Sequence, residues 1–335
     1  MGTTIRDVAS VAGVSTATVS RAMSGGRVSP ETRDAVLRIA SRMDYRPNRI
    51  ARGLTTGLTG NVGLLVPDLG NPFFTDIVKG VSARVRLADR SLFMCDTDEE
   101  TGREREAINS LIRNTDGLIL CSPRISDDEL FKMSTTTATV IVNRAAAGIA
   151  SVTSNAQSGM QQALAHLRAL GHRRVAYVAG PADSWIEHER RIVLPPPDHL
   201  GMQVAIITSA SPTFDGGILA GDMVVATNAT AVIAYNDLLA LGILQRLNFR
   251  GIRVPEDLSL IGHDDIAMAS MCTPSLTTVR VDKERLGAAA ANLLLRILLD
   301  RQHGKLPLFD DKPYEINLPA SLAIRESTGV APAVG

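Results

Sequence analysis

The chain has 335 residues, 45% of them hydrophobic, which is enough for two or three folded domains. No segment has the roughly 18 to 20 uninterrupted apolar residues of a membrane span, and the charged start MGTTIRDVAS differs from a signal peptide. We therefore expect a cytoplasmic protein with no membrane partner. The 35 basic and 35 acidic residues give a net charge of zero.

Positive charge is nevertheless concentrated at the start of the chain. Residues 1–59 hold nine arginines and four acidic residues, a net charge of +5, and the remaining 276 residues carry −5. A basic head on an acidic body is typical of a regulator that contacts nucleic acid with one end only.

The head has the pattern of three short helices. Thr4 can cap the first helix, and Gly13 then permits a sharp turn. Ser15 can cap a second helix that exposes small hydroxylated residues and one arginine. A third helix is predicted from Pro30, and Pro47 ends it before the linker-like segment TTGLTGN.

Two short helices that flank a glycine turn have the spacing of a helix-turn-helix. The second helix of such a motif fits the DNA major groove, about 12 Å wide, with its N-terminal residues against the base edges. The alternative is an ordinary three-helix bundle with a solvated polar face. The local positive charge favours DNA binding.

From Val62 the pattern changes to short apolar runs that alternate with amphipathic helices. The runs VGLLV, SLFMC, GLILC and TVIVN come first, and RVAYVAG, QVAIITS, AVIAYND and SLIGHDD follow after about residue 158. Such runs are typical of parallel strands buried on both faces. Two such α/β units predict a bilobed body with a ligand cleft at the carboxyl ends of the strands.

The sequence resembles the lac repressor/galactose repressor family of bacterial transcription regulators over nearly its whole length. The matching segments are TIRDVASVAGVSTATVSRAM, YRPNRIARGL, VGLLVPDLGNPFF, LRALGHRRVAYVAGP, GIRVPEDLSLIGHDDI and PSLTTVRVD. The resemblance implies a DNA-binding head, a hinge helix, and a periplasmic-binding-protein-like core that dimerises and binds a small effector such as a sugar. It also implies a pseudopalindromic operator in double-stranded DNA.

The resemblance divides the chain into a helix-turn-helix head, a hinge with a linker, and a core, at residues 1–46, 47–59 and 60–335. Each lobe of the core is expected to comprise two segments, about 60–156 and 283–310 for the first, and about 157–282 and 311–326 for the second. The expected fold class is a small all-α head followed by an α/β core of two parallel-sheet lobes. The C-terminus ESTGVAPAVG has no apolar heptads, which favours a homodimer over a tetramer.

The family pattern assigns DNA contacts to the head and the hinge. Thr16 and Ala17 occupy the base-reading positions, and Arg21 or Arg27 can recognise guanine because small side chains lack a bidentate fork. Ser24 stands where the family usually has Asn. The implied DNA-binding residues are Thr4, Ser15, Thr16, Ala17, Thr18, Ser20, Arg21, Ser24, Arg27, Tyr45, Asn48, Ala51, Arg52 and Leu54.

The hinge pattern of the family is present as Ala51-Arg52-Gly53-Leu54. A helix of about seven or eight residues that contains a glycine is unstable alone in water, so we expect it to fold on DNA against its dimer mate. The resemblance places Leu54 in the minor groove as a wedge. The alternative is an irregular linker.

The resemblance also implies a set of effector contacts in the cleft. Their amide, carboxylate and guanidinium groups can pair with vicinal hydroxyls, while aromatic rings cover the apolar face of a sugar. Phe73 can equally be a core residue. The implied contacts are Asn71, Phe73, Phe74, Asn143, Arg144, Trp185, Arg190, Asn236 and Asp264.

The second half of the chain departs from the family pattern at two places. Ser154 replaces the usual Asp, which removes a charged acceptor from the cleft. After Arg191 the expected Gly-Phe and amphipathic helix are replaced by IVLPPPDHLG, and three prolines cannot continue a helix. Either Arg190 or Arg191 can therefore be the effector contact.

The leading hypothesis is an effector-controlled transcription regulator, most simply a repressor. A solute-binding protein of a sugar transport system would share the core, but the basic head and the missing signal peptide argue against it. An enzyme would need a nucleophile, a base pair or a cofactor loop. No phosphate-binding glycine motif follows a strand, and the six histidines and three cysteines show no ligand spacing, so we expect no enzyme activity, cofactor or metal.

Overall fold

The computed structural model describes residues 3–23, 26–45, 58–196, 201–208, 211–303 and 314–332. The chain divides into two compact units, Met1–Gly60 and Asn61–Gly335. None of the helices within the described ranges has the length and apolar content that crossing a membrane requires.

The head unit is a small bundle of helices, α1 (Ile5–Ala12), α2 (Thr16–Met23) and α3 (Pro30–Arg42). α1 begins with a capping box, in which the Thr4 amide donates to Asp7 Oδ2 at 2.8 Å and the Thr4 hydroxyl accepts from the Asp7 amide. The turn to α2 uses the left-handed conformation of Gly13, at φ 63°. The three helices share a core of Val8, Ala9, Val19, Ala22, Val36 and Ala40.

The described part of the core unit contains two six-stranded sheets. In chain order the strands are β1 (Asn61–Val66), β2 (Ser91–Asp96), β3 (Gly117–Cys121), β4 (Ala138–Val142), β5 (Ala150–Ser154), β6 (Arg174–Ala179), β7 (Gln203–Thr208), β8 (Ala231–Ala234), β9 (Ser259–Asp264), β10 (Thr277–Val281), β11 (Glu315–Leu318) and β12 (Ala320–Ala323). The first sheet has the order β11-β5-β4-β3-β1-β2 and the second has the order β12-β10-β9-β8-β6-β7. The pairing of β12 with β10 is antiparallel, and the other recorded pairings are parallel.

Helices connect and cover these strands. They are α4 (Pro72–Leu87), α5 (Thr101–Asn114), α6 (Asp127–Thr136), α7 (Ala156–Ala169), α8 (Trp185–Arg191), α9 (Phe214–Ala226), α10 (Asp237–Phe249), α11 (Ala267–Met271) and α12 (Lys283–Gln302). Strands β3, β4, β8 and β9 are buried along their whole length, as their apolar runs predict. The same prediction is wrong for β2 and β7, which lie at sheet edges and are partly exposed. The prediction of two α/β lobes behind a helical head is confirmed.

The lobe boundary near the C-terminus differs from the predicted one. β11 does not belong to the second lobe, because it pairs in parallel with β5 of the first sheet, with Glu315 opposite Ser151. β12 begins at Ala320 and pairs with β10 of the second sheet. The chain therefore crosses between the lobes at Pro319, where a proline separates two short apolar runs.

The proline-rich segment after α8 contains no α-helix in its described residues. α8 ends at Arg191, and the next described element is β7, which begins at Gln203. This agrees with the inability of consecutive prolines to continue a helix. Residues 197–200 lie outside the described ranges.

Candidate DNA-binding face and effector cleft

The outward face of α2 presents the side chains predicted to read DNA. Val19 and Ala22 are buried in the core of the head, which fixes the rotation of the helix about its axis. Ser15 caps α2, since its Oγ accepts from the Thr18 amide at 3.1 Å. Thr18 is half-buried, and the exposed residues of this face are Ser15, Thr16, Ala17, Ser20 and Arg21.

The other predicted DNA contacts of the head have different surroundings. Thr4 and Arg27 are exposed. Tyr45 packs against the core of the head, and burial raises the pKa of its hydroxyl. Five predicted contacts lie outside the described residues, so their roles stay predictions: Ser24, Asn48, Ala51, Arg52 and Leu54.

A cavity in the core unit lies between the carboxyl ends of the strands of the two sheets. About 460 Å³ of space not filled by protein atoms, open solvent included, lies in this cavity. Its lining includes seven of the nine predicted effector residues, namely Asn71, Phe73, Phe74, Asn143, Arg190, Asn236 and Asp264.

The first-lobe wall of this cavity is built at the start of α4. Asn71 caps the helix, with its Oδ1 accepting from the Phe73 amide at 3.0 Å. The rings of Phe73 and Phe74 meet edge to face, with centroids 5.1 Å apart. Both rings belong to the hydrophobic core and also line the cavity, and contact of Phe73 with the effector stays a prediction. Asn143 has φ 60° and donates from Nδ2 to Ser122 Oγ at 2.9 Å.

Arg190 forms the centre of the second-lobe wall. Its Nη1 donates to the Tyr235 carbonyl at 2.5 Å, and its guanidinium carbon lies 4.8 Å from the centroid of the Tyr235 ring. Its Nη2 is 3.8 Å from Asp264 Oδ1. The buried Nε of Arg190 has no hydrogen-bond partner among the described residues. An unpaired buried donor is costly, so a ligand hydroxyl at this point would stabilise the wall.

The structure distinguishes Arg190 from Arg191. Arg190 is 4% exposed and lines the cavity. The side chain of Arg191 is 43% exposed, and its Nε lies 3.7 Å from Glu187 Oε1 on the same helix. Arg190 is therefore the arginine that faces the cleft.

Asp264 supplies a buried carboxylate at the end of β9. Burial raises its pKa to about 7, although the charges of Arg190 and Lys283 act in the opposite direction. Beneath it, Asp237 is fully buried and accepts from Thr278 Oγ1 at 2.6 Å, and burial raises the pKa of Asp237 well above its ordinary value. Asn236 caps α10 and donates from Nδ2 to the Pro212 carbonyl at 2.8 Å.

Two predicted effector contacts lie outside the cavity lining. The Arg144 guanidinium is engaged by the loop before α6, because Nη1 donates to the Pro123 and Ile125 carbonyls at 2.6 and 2.8 Å. Its Nη2 donates to Asp127 Oδ1 at 2.6 Å. Trp185 is half-buried at the first position of α8. Its neighbours in the chain, Ser184 and Ile186, line the cavity, whereas Trp185 does not. Neither residue lines the cavity in the ligand-free protein, and the assignment of Arg144 and Trp185 as effector contacts stays a prediction.

Several residues that line the cavity were missed in the sequence. Arg124 pairs with the Glu99 carboxylate within the first lobe, and its Nε lies 3.9 Å from Asp183 Oδ1 of the second lobe. Position after a parallel strand is the signal that could have found these residues. The missed polar residues are Glu99, Ser122, Arg124, Ser184 and Tyr235.

Comparisons with known proteins agree with this architecture. Residues 4–48 match the bacterial regulatory proteins of the lacI family, and residues 164–328 match the periplasmic binding protein-like domain. The ribose operon repressor of Halalkalibacterium halodurans is 33% identical over 338 residues, which cover 97% of this chain and 97% of that protein. The transcriptional regulator GalS of Salmonella typhimurium is 35% identical over 303 residues, covering 88% and 89%.

The chain belongs to the lacI family of bacterial regulatory proteins. Among solved structures, this lacI-family chain is similar to the lac repressor dimer bound to operator and the anti-inducer ONPF, with 25% identity and a TM-score of 0.83. The match covers 98% of this chain and 100% of the lac repressor chain. This chain is also similar to the CelR–cellobiose complex, with 30% identity, a TM-score of 0.67, and coverage of 97% and 99%. The prediction of a DNA-binding regulator is confirmed, and the alternative of a transport protein is not supported. Members of this family are repressors rather than enzymes.

Proposed function

We propose that this lacI-family regulator is a cytoplasmic repressor that binds a pseudopalindromic operator as a homodimer and changes its operator affinity when a sugar occupies the cleft. The observation that carries the proposal is the pairing of an exposed recognition face on α2 with a polar cavity between two lobes. One relative is named for a ribose operon, and another was solved in complex with cellobiose. Both names support a sugar as the ligand class.

The chemistry of the cavity fits a polyhydroxylated ligand. Asn71, Asn143 and Asn236 offer amide groups, and Arg190 with Asp264 offers a guanidinium and a carboxylate. These planar groups suit vicinal hydroxyls. The aromatic rings at the start of α4 provide an apolar surface for the face of a sugar ring.

Exposed apolar side chains at the sheet edges support a homodimer. β2 and β7 are edge strands of their sheets, and they expose Phe93 by 45%, Met94 by 42% and Ile206 by 47%. α9, beside β7, exposes Leu219 by 69%. Edge strands with exposed apolar residues are association sites unless they are covered. We propose that a second copy covers them.

The test of this function is the salt dependence of operator binding. With about four phosphates neutralised by each head, log K should fall against log salt with a slope near −7 for a dimer on an operator selected from random duplexes. If Arg21 contacts a phosphate, Arg21→Ala should make the slope shallower by about 2, because each of the two heads loses one phosphate contact; if it reads guanine instead, the variant should lose sequence specificity at an unchanged slope. Arg253→Ala serves as the control, since Arg253 is exposed on the core and pairs with Asp257. A wild-type slope shallower than about −3 would contradict two-headed binding.

The hinge proposal has its own test at Leu54, which lies outside the described residues. Leu54→Ala should cost of order 1–3 kcal/mol of operator affinity, because the wedge in the minor groove is lost. The melting temperature and sugar binding of the core should stay at their wild-type values. Unchanged operator affinity in the variant would show that the hinge segment does not insert into DNA.

A further inference from the structure

Lys283 is buried at an unfavourable place for a lysine. It is the first residue of α12 and is 8% exposed. The N-terminus of a helix carries partial positive charge, which disfavours a cation there, and burial of an ammonium group is costly without partners. Other groups must therefore compensate its charge.

Two backbone carbonyls of the second lobe provide this compensation. Lys283 Nζ donates to the carbonyl of Asp264 at 2.7 Å and to the carbonyl of Asp265 at 2.8 Å. The lysine charge also lies close enough to the Asp264 carboxyl to lower its pKa, against the larger effect of burial. Lys283 thus contacts the backbone of a residue that lines the cavity.

These carbonyls belong to a turn with an unfavourable backbone conformation. Asp264 has φ 107° and Asp265 has φ 52°, values that are unfavourable for residues other than glycine. The Asp265 carboxylate accepts from Arg280 and Arg325, each at 2.5 Å, and the following amide donates to Asp237. These three partners come from the second lobe. Lys283, in contrast, reaches this turn from α12, a helix that is packed on the first lobe.

The helix that carries Lys283 is closely packed on the first lobe. A Cβ atom on Gly80 of α4 would lie 2.1 Å from the Glu284 carbonyl, and one on Gly287 would lie 2.1 Å from the Ile77 carbonyl. Only glycine permits this approach of the two backbones. α4 also begins at the first-lobe wall of the cavity, where Asn71 caps it. Lys283 and that wall are therefore parts of one packed helix pair.

We propose that Lys283 is a positioning residue that ties the Asp264–Asp265 turn of the second lobe to α12 of the first lobe and thereby orients the Asp264 carboxylate toward the effector. The proposal rests on the proposed function for the role of the cavity. The tie itself concerns the ligand-free protein, and it can be tested without any effector.

The first measurement is amide hydrogen exchange in the ligand-free, full-length protein. Lys283→Met keeps most of the apolar stem and removes the three donors, so the amides of Asp265 and Ile266 should exchange at least about tenfold faster than in the wild type. Arg285→Met is the matched control, because Arg285 is an exposed basic residue in the same first turn. Lys283→Arg, which retains charge and donors, should restore most of the protection.

The second measurement is the pH dependence of sugar binding, with ribose and cellobiose as probes. Binding should strengthen as Asp264 ionises near pH 7, and Lys283→Met should move this midpoint about 1 pH unit higher because an opposite charge is removed. Arg285→Met should leave the midpoint in place. The titratable and charged groups around Asp264 are Arg190, Tyr235, Asp237, His263, Asp265, Arg280 and Lys283.

The two measurements separate failure of this inference from failure of the proposed function. Exchange at the wild-type rate in Lys283→Met, or equal loss of protection in Lys283→Arg, would overturn the tie. A pH midpoint that does not move in Lys283→Met would overturn its role in orienting the carboxylate. If the wild type binds neither sugar, the proposed ligand class fails, while the exchange result still decides the tie.

Discussion

Arg190→Met should abolish the response of operator binding to the effector, whereas Arg191→Met should leave the response nearly unchanged. The two arginines are adjacent in sequence and carry the same charge, so the pair forms a matched comparison. Arg190 lines the cavity at 4% exposure, and Arg191 lies on the solvent side of α8.

The expected size of the effect follows from what the Arg190 guanidinium contacts. Its removal eliminates the hydrogen bond to the Tyr235 carbonyl and leaves the buried Asp264 carboxyl without its nearest arginine. Loss of a hydrogen bond from the charged guanidinium to a sugar hydroxyl costs about 1.5–3 kcal/mol, which corresponds to a roughly 10- to 150-fold loss of sugar affinity. Loss of this charge should also raise the pKa of Asp264 further.

Calorimetric titration with ribose and cellobiose, followed by operator binding with and without the bound sugar, measures both quantities. Arg190→Met should retain basal operator affinity, because the substitution lies in the core and the recognition face lies in the head. Equal losses of sugar affinity in the two variants would contradict the assignment of Arg190 as the contact.

The choice between Arg190 and Arg191 shows what local pattern can and cannot decide. Consecutive residues of a helix point about 100° apart, so only the phase of the buried face selects one of them. Ile186 is buried and lies four residues before Arg190, and this spacing places Arg190 on the inner face of α8. The sequence around α8 lacks the expected following helix, which obscured that phase.

The limits of prediction are clearest where a residue's partners are distant in sequence. Strand-end position correctly placed Asn143, Asn236 and Asp264 in the cavity, because parallel strands bring their carboxyl ends together. Arg144 has the same position, yet its guanidinium binds the Pro123 and Ile125 carbonyls. No periodicity encodes a loop contact of this kind. The crossing at Pro319 was missed for the same reason, since β11 and β12 are too short to show which sheet each one joins.

Asp264→Asn is expected to uncouple the two sites of the regulator while leaving the head intact. A typical coupling of 1–3 kcal/mol changes operator affinity by roughly 5- to 150-fold when the effector binds, and linkage requires operator DNA to change effector affinity by the same factor. Asn retains the shape of the side chain but lacks the charged acceptor that lies 3.8 Å from Arg190. The effector should therefore no longer change operator affinity, and operator DNA should no longer change effector affinity. Basal operator affinity should stay unchanged.

The same substitution should stabilise the protein at high pH, and this expectation identifies Asp264 as a functional residue. The pKa of Asp264 is raised from 3.8 to about 7 in the folded state, so between these values the folded protein binds the proton more tightly than the unfolded chain. Stability conferred by the wild-type side chain is thus lost as pH rises from about 4 to 7, and the full penalty is present above about pH 7. Asp264→Asn avoids this ionisation, so its melting temperature should exceed that of the wild type at pH 8 by a few degrees, with a smaller difference at pH 5. A loss of coupling together with this pH-dependent gain in stability would show that the carboxylate is kept for effector binding at the expense of the fold, whereas a variant that still responds fully to the effector would exclude Asp264 as a contact.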